Sequence, residues 1–384
     1  MKALLLAVLA LPGFCHAAEP VIRLGPLKPG YTLVDLPEGN YNVTVTLGGA
    51  QAASTTVKAE LRRLMLERVV TRPGQTVQRT FTVNVRTPVI DGTGAVQLKA
   101  PRETVEEAWA WDPRLTLEVG GDNPAVKAVE IVRADTPTLF LLGDSTVCDQ
   151  PGEPYSSWGQ MLPRFFKAGL AVANHAESGE TLRDSLARRR LDKIISVMKP
   201  GDTVLFQFGH NDQKQIREGT GSPATYEDEL RTHVRRVLAR GGIPVVVSSM
   251  ERRAFDAQGK VVPSLHDYAD AARQVASEEK VKFIDLNAQS IVLYQALGQD
   301  GSRAAFAQPA PGKIDNTHHN SYGGYELAKI VVTALRAHRL PVAAFIADDF
   351  RDFDPAQPDP AAAFDVPASP AHSSERPLGD EANR

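Results

Sequence analysis

Cysteine is nearly absent from this chain of 384 residues: there are two, Cys15 and Cys148. That excludes a disulfide-built scaffold and a cysteine-rich zinc site. An excess of charge of one sign is also lacking. Lys and Arg number 43 against 46 Asp and Glu, for a formal net charge of −3, so no basic face of the kind that nucleic acid or an anionic membrane selects is expected. No apolar run approaches the ~20 residues needed to span a bilayer. No serine lies in Gly-x-Ser-x-Gly, and no Gly-x-x-x-x-Gly-Lys or Gly-x-Gly-x-x-Gly follows an expected strand, which removes the nucleophile elbow and the usual nucleotide sites. There is no His-Glu-x-x-His segment and no internal repeat.

With 42% hydrophobic and 23% charged residues the chain has the composition of a globular protein, and its length predicts two domains plus tails. Lys2, the short apolar run from Ala3 to Leu11, and the small residues up to Ala18 read as a secretory signal peptide, 1–18. Cleavage after Ala17 removes Lys2, taking the net charge from −3 to −4, and removes Cys15. Cys148 then stands alone, and the mature chain is expected to be soluble, secreted to periplasm or medium, and free of the membrane.

From 19 to 135 the pattern has period two. Tyr41, Val43, Val45 and Leu47 alternate with polar residues, as do Phe81, Val83 and Val85, and then Leu115, Leu117 and Val119. Short alternating runs separated by Gly, Pro and Asn predict an antiparallel β-sandwich. The grammar changes at Asp135. Thr138–Leu142, Val204–Phe208, Val245–Ser249 and Val281–Leu286 are continuous apolar runs, expected of parallel strands covered on both faces. Amphipathic segments lie between them, including Tyr226–Arg240 with Thr225 as candidate N-cap, and Thr181 and Ser264 open candidate capping boxes. A three-layer α/β domain over 136–345 follows. The remainder, 346–384, rich in Pro, Ala and Asp, is expected to be disordered.

Four segments fall at or just after the C-terminal ends of the expected parallel strands, where α/β sheets build their sites. Gly143-Asp144-Ser145-Thr146 places a hydroxyl on the loop leaving the first strand; alone it reads first as a helix cap. Asn174 to Glu180 contains Gly179, which can present a bare N–H. Gly209-His210-Asn211-Asp212 offers an amide to a developing oxyanion, or simply an Asx turn. In Asp315-Asn316-Thr317-His318 a carboxylate stands three residues before an imidazole, which suits a base oriented by an acid. A polar loop is the other reading. Cys148 has no activating group near it in sequence and reads as packing.

Taken in order, these four segments resemble the blocks of the GDSL, or SGNH, hydrolase superfamily. The longer stretches Gly143-Asp144-Ser145-Thr146-Val147, Trp158-Gly159-Gln160, Asn174 to Arg183, Gly209 to Asp212 and Asp315 to Asn320 are similar to rhamnogalacturonan acetylesterases, carbohydrate esterase family twelve. The resemblance covers about 137–338. It implies a flavodoxin-like fold, preceded by a galactose-binding-like sandwich, and an esterase acting on acetylated polysaccharide or oligosaccharide without metal or other cofactor. Carried over by position, Ser145 is the nucleophile, His318 the general base and acid, and Asp315 its orienting partner. The Ser145 and Gly179 N–H groups and the Asn211 side chain form the oxyanion hole. One departure is Ser178, where the family commonly has a second glycine. Arg183 is a candidate contact for uronate carboxylates, and Trp158 and Tyr155 for stacking on a sugar ring; Lys214 and Arg217 read as solvated charge. Two other readings stay open: an acetylesterase for another polymer such as xylan, and a glycan-binding protein without activity.

Overall fold

The computed structural model describes residues 20–378; the expected signal peptide lies outside them. The N-terminal part is built from β1 (Ile22–Leu24), β2 (Gly30–Asp35), β3 (Gly39–Gly48), β4 (Ala53–Ala59), β5 (Arg63–Thr71) and β6 (Thr76–Val85). A small hairpin of β7 (Val89–Ile90) and β8 (Gly94–Ala95) follows, then β9 (Arg114–Gly120) and β10 (Val126–Arg133). Two four-stranded antiparallel sheets form, in the orders β1-β10-β3-β6 and β2-β9-β4-β5. The period-two residues face inward: Val43 lies opposite Phe81 on one side and Ile131 on the other, and with Leu115, Leu117 and Val119 of the second sheet they make one core. In β9 the intervening Thr116 and Glu118 are buried as well, because the second sheet carries other parts of the molecule on its outer face.

The α/β unit contains five parallel strands, β11 (Thr138–Gly143), β12 (Ala171–Asn174), β13 (Thr203–Gln207), β14 (Ile243–Val247) and β15 (Lys282–Ile284). Their order is β12-β11-β13-β14-β15, the doubly wound 2-1-3-4-5 arrangement. Alternate residues of each strand enter opposite cores. Leu139, Leu141, Leu205 and Val245 pack against α1 (Trp158–Met161), α6 (Leu286–Gly301) and α7 (Ser321–Ala337). Phe140, Leu142, Phe206 and Val246 pack against α2 (Leu182–Ala187), α3 (Arg190–Val197), α4 (Pro223–Ala239) and α5 (His266–Glu278). Burial on both faces is why these strands read as unbroken apolar runs. No helix among the described residues is long and apolar enough to cross a membrane.

Local caps differ in detail from the sequence reading. The cap of α4 is Ser222, whose hydroxyl accepts from the Thr225 N–H at 3.2 Å with Pro223 at the first helical position, so Thr225 lies one turn inside. Thr181 does cap α2, accepting from the Asp184 N–H. Ser264 does not cap α5; its hydroxyl bonds the buried Glu251 carboxylate instead.

The C-terminal segment departs further from expectation. Residues 346–378 lie along the surface of both parts rather than in solvent. The rings of Phe350 and Phe364 pack on Phe165 and Tyr325, and Lys329 pairs with Asp359 at 2.6 Å. Composition alone counts the prolines and alanines of this stretch as disorder. Four spaced apolar anchors, Phe350, Phe353, Phe364 and Val366, supply the contacts that hold it, and its prolines reduce the entropy lost on docking.

Burial also sets an acid limit. His233 on α4 is fully enclosed, with Nδ1 2.8 Å from the Glu229 carbonyl, and burial pushes its pKa down to about 4; His319 is pushed down to about 3 for the same reason. Below the ordinary imidazole pKa of ~6.5 the unfolded chain takes up protons that the folded chain refuses, so stability present at pH 7 is lost as pH falls toward 4. His233 alone is expected to account for roughly 3 kcal/mol of this loss. Urea denaturation at pH 7 and pH 4.5 checks it: the His233→Asn variant should show the shallower pH dependence.

Candidate active site

The loop leaving β11 is shaped by close packing. A Cβ at Gly143 would lie 2.6 Å from the Gln207 carbonyl oxygen and 2.7 Å from Val147, so no larger residue fits between β11 and β13. The Asp144 carboxylate accepts from the N–H and hydroxyl of Thr146 at 2.9 and 2.7 Å, closing a tight turn that presents Ser145. The Ser145 Oγ lies 2.8 Å from His318 Nε2, and His318 Nδ1 lies 3.0 Å from Asp315 Oδ2. The other carboxylate oxygen accepts the backbone N–H groups of Thr317 and His318, each at 2.9 Å. Ser145, Asp315 and His318, 173 residues apart at their extremes, thus form one buried relay. Burial alone would raise the Asp315 pKa, but the charge and hydrogen bonds of His318, with Arg376, outweigh it and hold the carboxyl well below its usual range. The imidazole therefore faces a permanent anion, which fixes its Nδ1–H tautomer and leaves Nε2 to accept from the serine.

The loops after the two neighbouring strands supply the other residues. Gly179, after β12, has φ +73°, a left-handed backbone that favours glycine. Asn211, after β13, donates from Nδ2 to the Glu180 carbonyl at 3.0 Å. That bond uses one of two amide hydrogens and fixes the direction of the second. Removing the amide with Asn211→Ala is expected to lower kcat by ~10²–10³ with little change in KM, as for other side-chain oxyanion donors. Steady-state hydrolysis of an aryl acetate would show it.

Ser178, the departure from the family pattern, turns toward the N-terminal part. Its hydroxyl accepts from Arg102 Nη2 at 2.8 Å and its carbonyl from Lys99 Nζ at 2.5 Å, while Arg102 also pairs with Glu177 at 2.9 Å and Lys99 with Glu180 at 2.5 Å. The glycine loop is therefore braced from a segment that belongs, in sequence, to the sandwich region. Nothing local marks these residues: Lys99 and Arg102 lie 79 and 76 residues before Ser178. Tyr155, a candidate for stacking on sugar, is buried with its ring edge-on to His318 at 6.0 Å. A cleft of about 230 Å³ adjoins this corner, lined by Lys99, Arg102, Gln150, Tyr155, Ser373 and Arg376 among others.

Two expected substrate contacts are corrected. Trp158 is fully buried in the core and donates its indole N–H to Gln207 at 2.8 Å, so it has no face to offer a sugar. Arg183 lies on α2 and pairs with Glu229 of α4 at 2.7 Å, which offsets the charge assigned to uronate recognition. Cys148 is buried, and burial together with the Glu177 and Glu107 carboxylates pushes its thiol pKa well up, against any thiolate role. Among the described residues the one group of three side chains spaced to hold a metal ion is Glu103, Glu107 and Glu177, away from His318. Arg102 and Arg190 already occupy it, Arg190 forking onto Glu103 at 2.9 and 2.5 Å.

A 2-1-3-4-5 parallel sheet with a serine, a glycine and an asparagine on the loops after its first three strands, and an Asp-x-x-His loop closing onto the serine, is the fold of the SGNH hydrolases. The chain belongs to the GDSL-like lipase/acylhydrolase family, whose model matches residues 141–327. It is 37% identical over 214 residues to the rhamnogalacturonan acetylesterase RhgT of Bacillus subtilis (strain 168), covering 53% of this chain and 91% of that protein. It is 28% identical over 309 residues to the uncharacterized esterase YxiM of the same organism, covering 79% and 73%. The crystal structure of the Bacillus subtilis YxiM protein superposes with a TM-score of 0.51 at 26% identity, covering 80% of each chain. The family resemblance read from the four motifs is thereby borne out.

Proposed function

We propose that the protein is a secreted serine esterase that removes acetyl groups from carbohydrate, with pectic rhamnogalacturonan as its polymer. The observation that carries the reading is the buried relay of Ser145 Oγ, His318 and Asp315 at 2.8 and 3.0 Å. In the proposed reaction His318 Nε2 takes the serine proton as Oγ bonds to the acetyl carbonyl carbon. The oxyanion so formed is held by the N–H groups of Ser145 and Gly179 and by the Asn211 amide. As the intermediate collapses, the bond to the sugar oxygen breaks and that oxygen receives the proton from His318. Water repeats the sequence on acetyl-Ser145 and releases acetate. Neither metal nor other cofactor has a part in these steps.

The polymer is supported by the similarity to RhgT, which carries rhamnogalacturonan acetylesterase in its name. Secretion is supported by the leader pattern of residues 1–18. For the N-terminal sandwich we keep the galactose-binding-like assignment as a proposal; its observed contribution to the site is the bracing of the glycine loop by Lys99 and Arg102. Acetate release from acetylated rhamnogalacturonan and from acetylated xylan, side by side, tests the reading. Faster release from the pectic polymer is expected. Preference for xylan would keep the chemistry and overturn the substrate, and no release from either, with an aryl acetate also untouched, would favour a glycan-binding role.

A further inference from the structure

The C-terminal segment reaches the catalytic carboxylate itself. After its aromatic anchors the chain is pinned to the sandwich: Lys58 Nζ donates to the Pro367 carbonyl at 2.8 Å and to the Ser369 hydroxyl at 2.7 Å, and that hydroxyl donates to Glu118 at 3.0 Å. It then runs beside Glu153 of the α/β unit, whose N–H donates to the Ala371 carbonyl at 3.0 Å and whose carbonyl accepts from the Ser373 N–H at 2.7 Å. Three residues on, Arg376 closes a fork on Asp315, with Nε 2.8 Å from Oδ2 and Nη2 3.0 Å from Oδ1. A planar guanidinium matches a carboxylate in both spacing and charge, so the fork fixes the plane of the carboxylate as well as its position.

We propose that Arg376 is a positioning residue of the catalytic relay, delivered by a strap spanning residues 367–376 that docks on both domains and completes the active site. The proposal rests on the catalytic reading of Asp315 given above. Asp315 Oδ2 receives both His318 Nδ1 and Arg376 Nε, so rotation of the carboxylate away from the imidazole would cost the arginine a bond too. The fork also places a fixed cation beside the imidazole. Also near the pair are Ser145 and Tyr155 from the loop after β11, His319 on the same loop as His318, and His210 with Asp144 3.4 Å from it. Burial holds His319 and His210 below the ordinary imidazole range, so neither adds positive charge near neutrality.

The test uses the full chain, with Arg376→Ala and Arg376→Lys compared against Ser145→Ala and Asp315→Ala on an aryl acetate, with and without dilute guanidinium. Loss of a charge-assisted contact predicts that Arg376→Ala lowers kcat by about 10- to 100-fold with KM little changed. Arg376→Lys should be intermediate, and dilute guanidinium should restore part of the Arg376→Ala activity. Parent-like kcat in Arg376→Ala would overturn the proposal. So would a loss that Arg376→Lys does not moderate and guanidinium does not rescue, since that is what a strap with a purely structural role gives. Retained activity in Ser145→Ala and Asp315→Ala would instead overturn the catalytic reading itself.

Discussion

Replacing Ser145 with alanine is expected to lower kcat on an aryl acetate by at least ~10⁴, leaving only what the oxyanion donors and binding provide. The serine is the sole proposed atom acceptor of the acetyl group, and the residue beside it, Asp144, is committed to the turn through Thr146 and lies 3.4 Å from His210. Among the described residues no neighbouring group is arranged to replace it: Cys148 is buried with its thiol pKa pushed up, and its sulfur lies against Ser178 and Gln150. The fold should be unchanged, because among the described residues Oγ bonds His318 alone, and the backbone N–H of His318 is held separately by Asp315. Equal thermal midpoints for parent and variant, with activity lost, distinguish chemistry from folding.

Asp315→Asn is the second large effect. The amide is nearly the same size and can still accept the N–H groups of Thr317 and His318 with its oxygen. Its NH₂ then faces His318 Nδ1 and donates to it, which moves the ring proton to Nε2. The imidazole in that tautomer cannot take the serine proton, and a fall in kcat of ~10³–10⁴ is expected, with KM nearly constant. The same substitution strands the Arg376 guanidinium opposite a neutral group. The variant should therefore lose somewhat more stability than Ser145→Ala, as compared by urea denaturation at one pH.

The parts of this site that the sequence makes legible are those in which a local pattern and a structural position coincide. Thr138–Leu142 reads as a strand because alternate side chains enter two different cores, leaving no polar face, and its end therefore locates Gly143 and Ser145. Asp315 and His318 are three residues apart, so their contact follows from one turn of loop. The sandwich strands are legible for the complementary reason: one face of β3 meets the core and the other carries Asn42, Thr44 and Thr46. Long-range contacts leave no such trace. Arg376 meets a carboxylate 61 residues upstream and Lys99 a loop 79 residues downstream, and nothing in the spacing distinguishes either from a solvated charge. Trp158 misleads for a related reason. An indole next to a motif suits sugar stacking, but its N–H finds Gln207 in the core, and that partner is set by the register of β11 and β13. The tail misleads through composition, which weighs prolines and alanines equally wherever they stand and gives no weight to the spacing of Phe350, Phe353 and Phe364.

The central claim is that Ser145, activated by His318 and Asp315, is the group that accepts the acetyl. The most direct measurement is covalent trapping: the full chain is inactivated with an organophosphorus ester and digested, and the modified peptide is located by mass spectrometry. The account predicts a single stoichiometric adduct on the peptide containing Ser145, formed in parallel with the loss of aryl acetate hydrolysis and absent from Ser145→Ala. An adduct on another residue that tracks the loss of activity, or inactivation with Ser145 left unmodified, would contradict it.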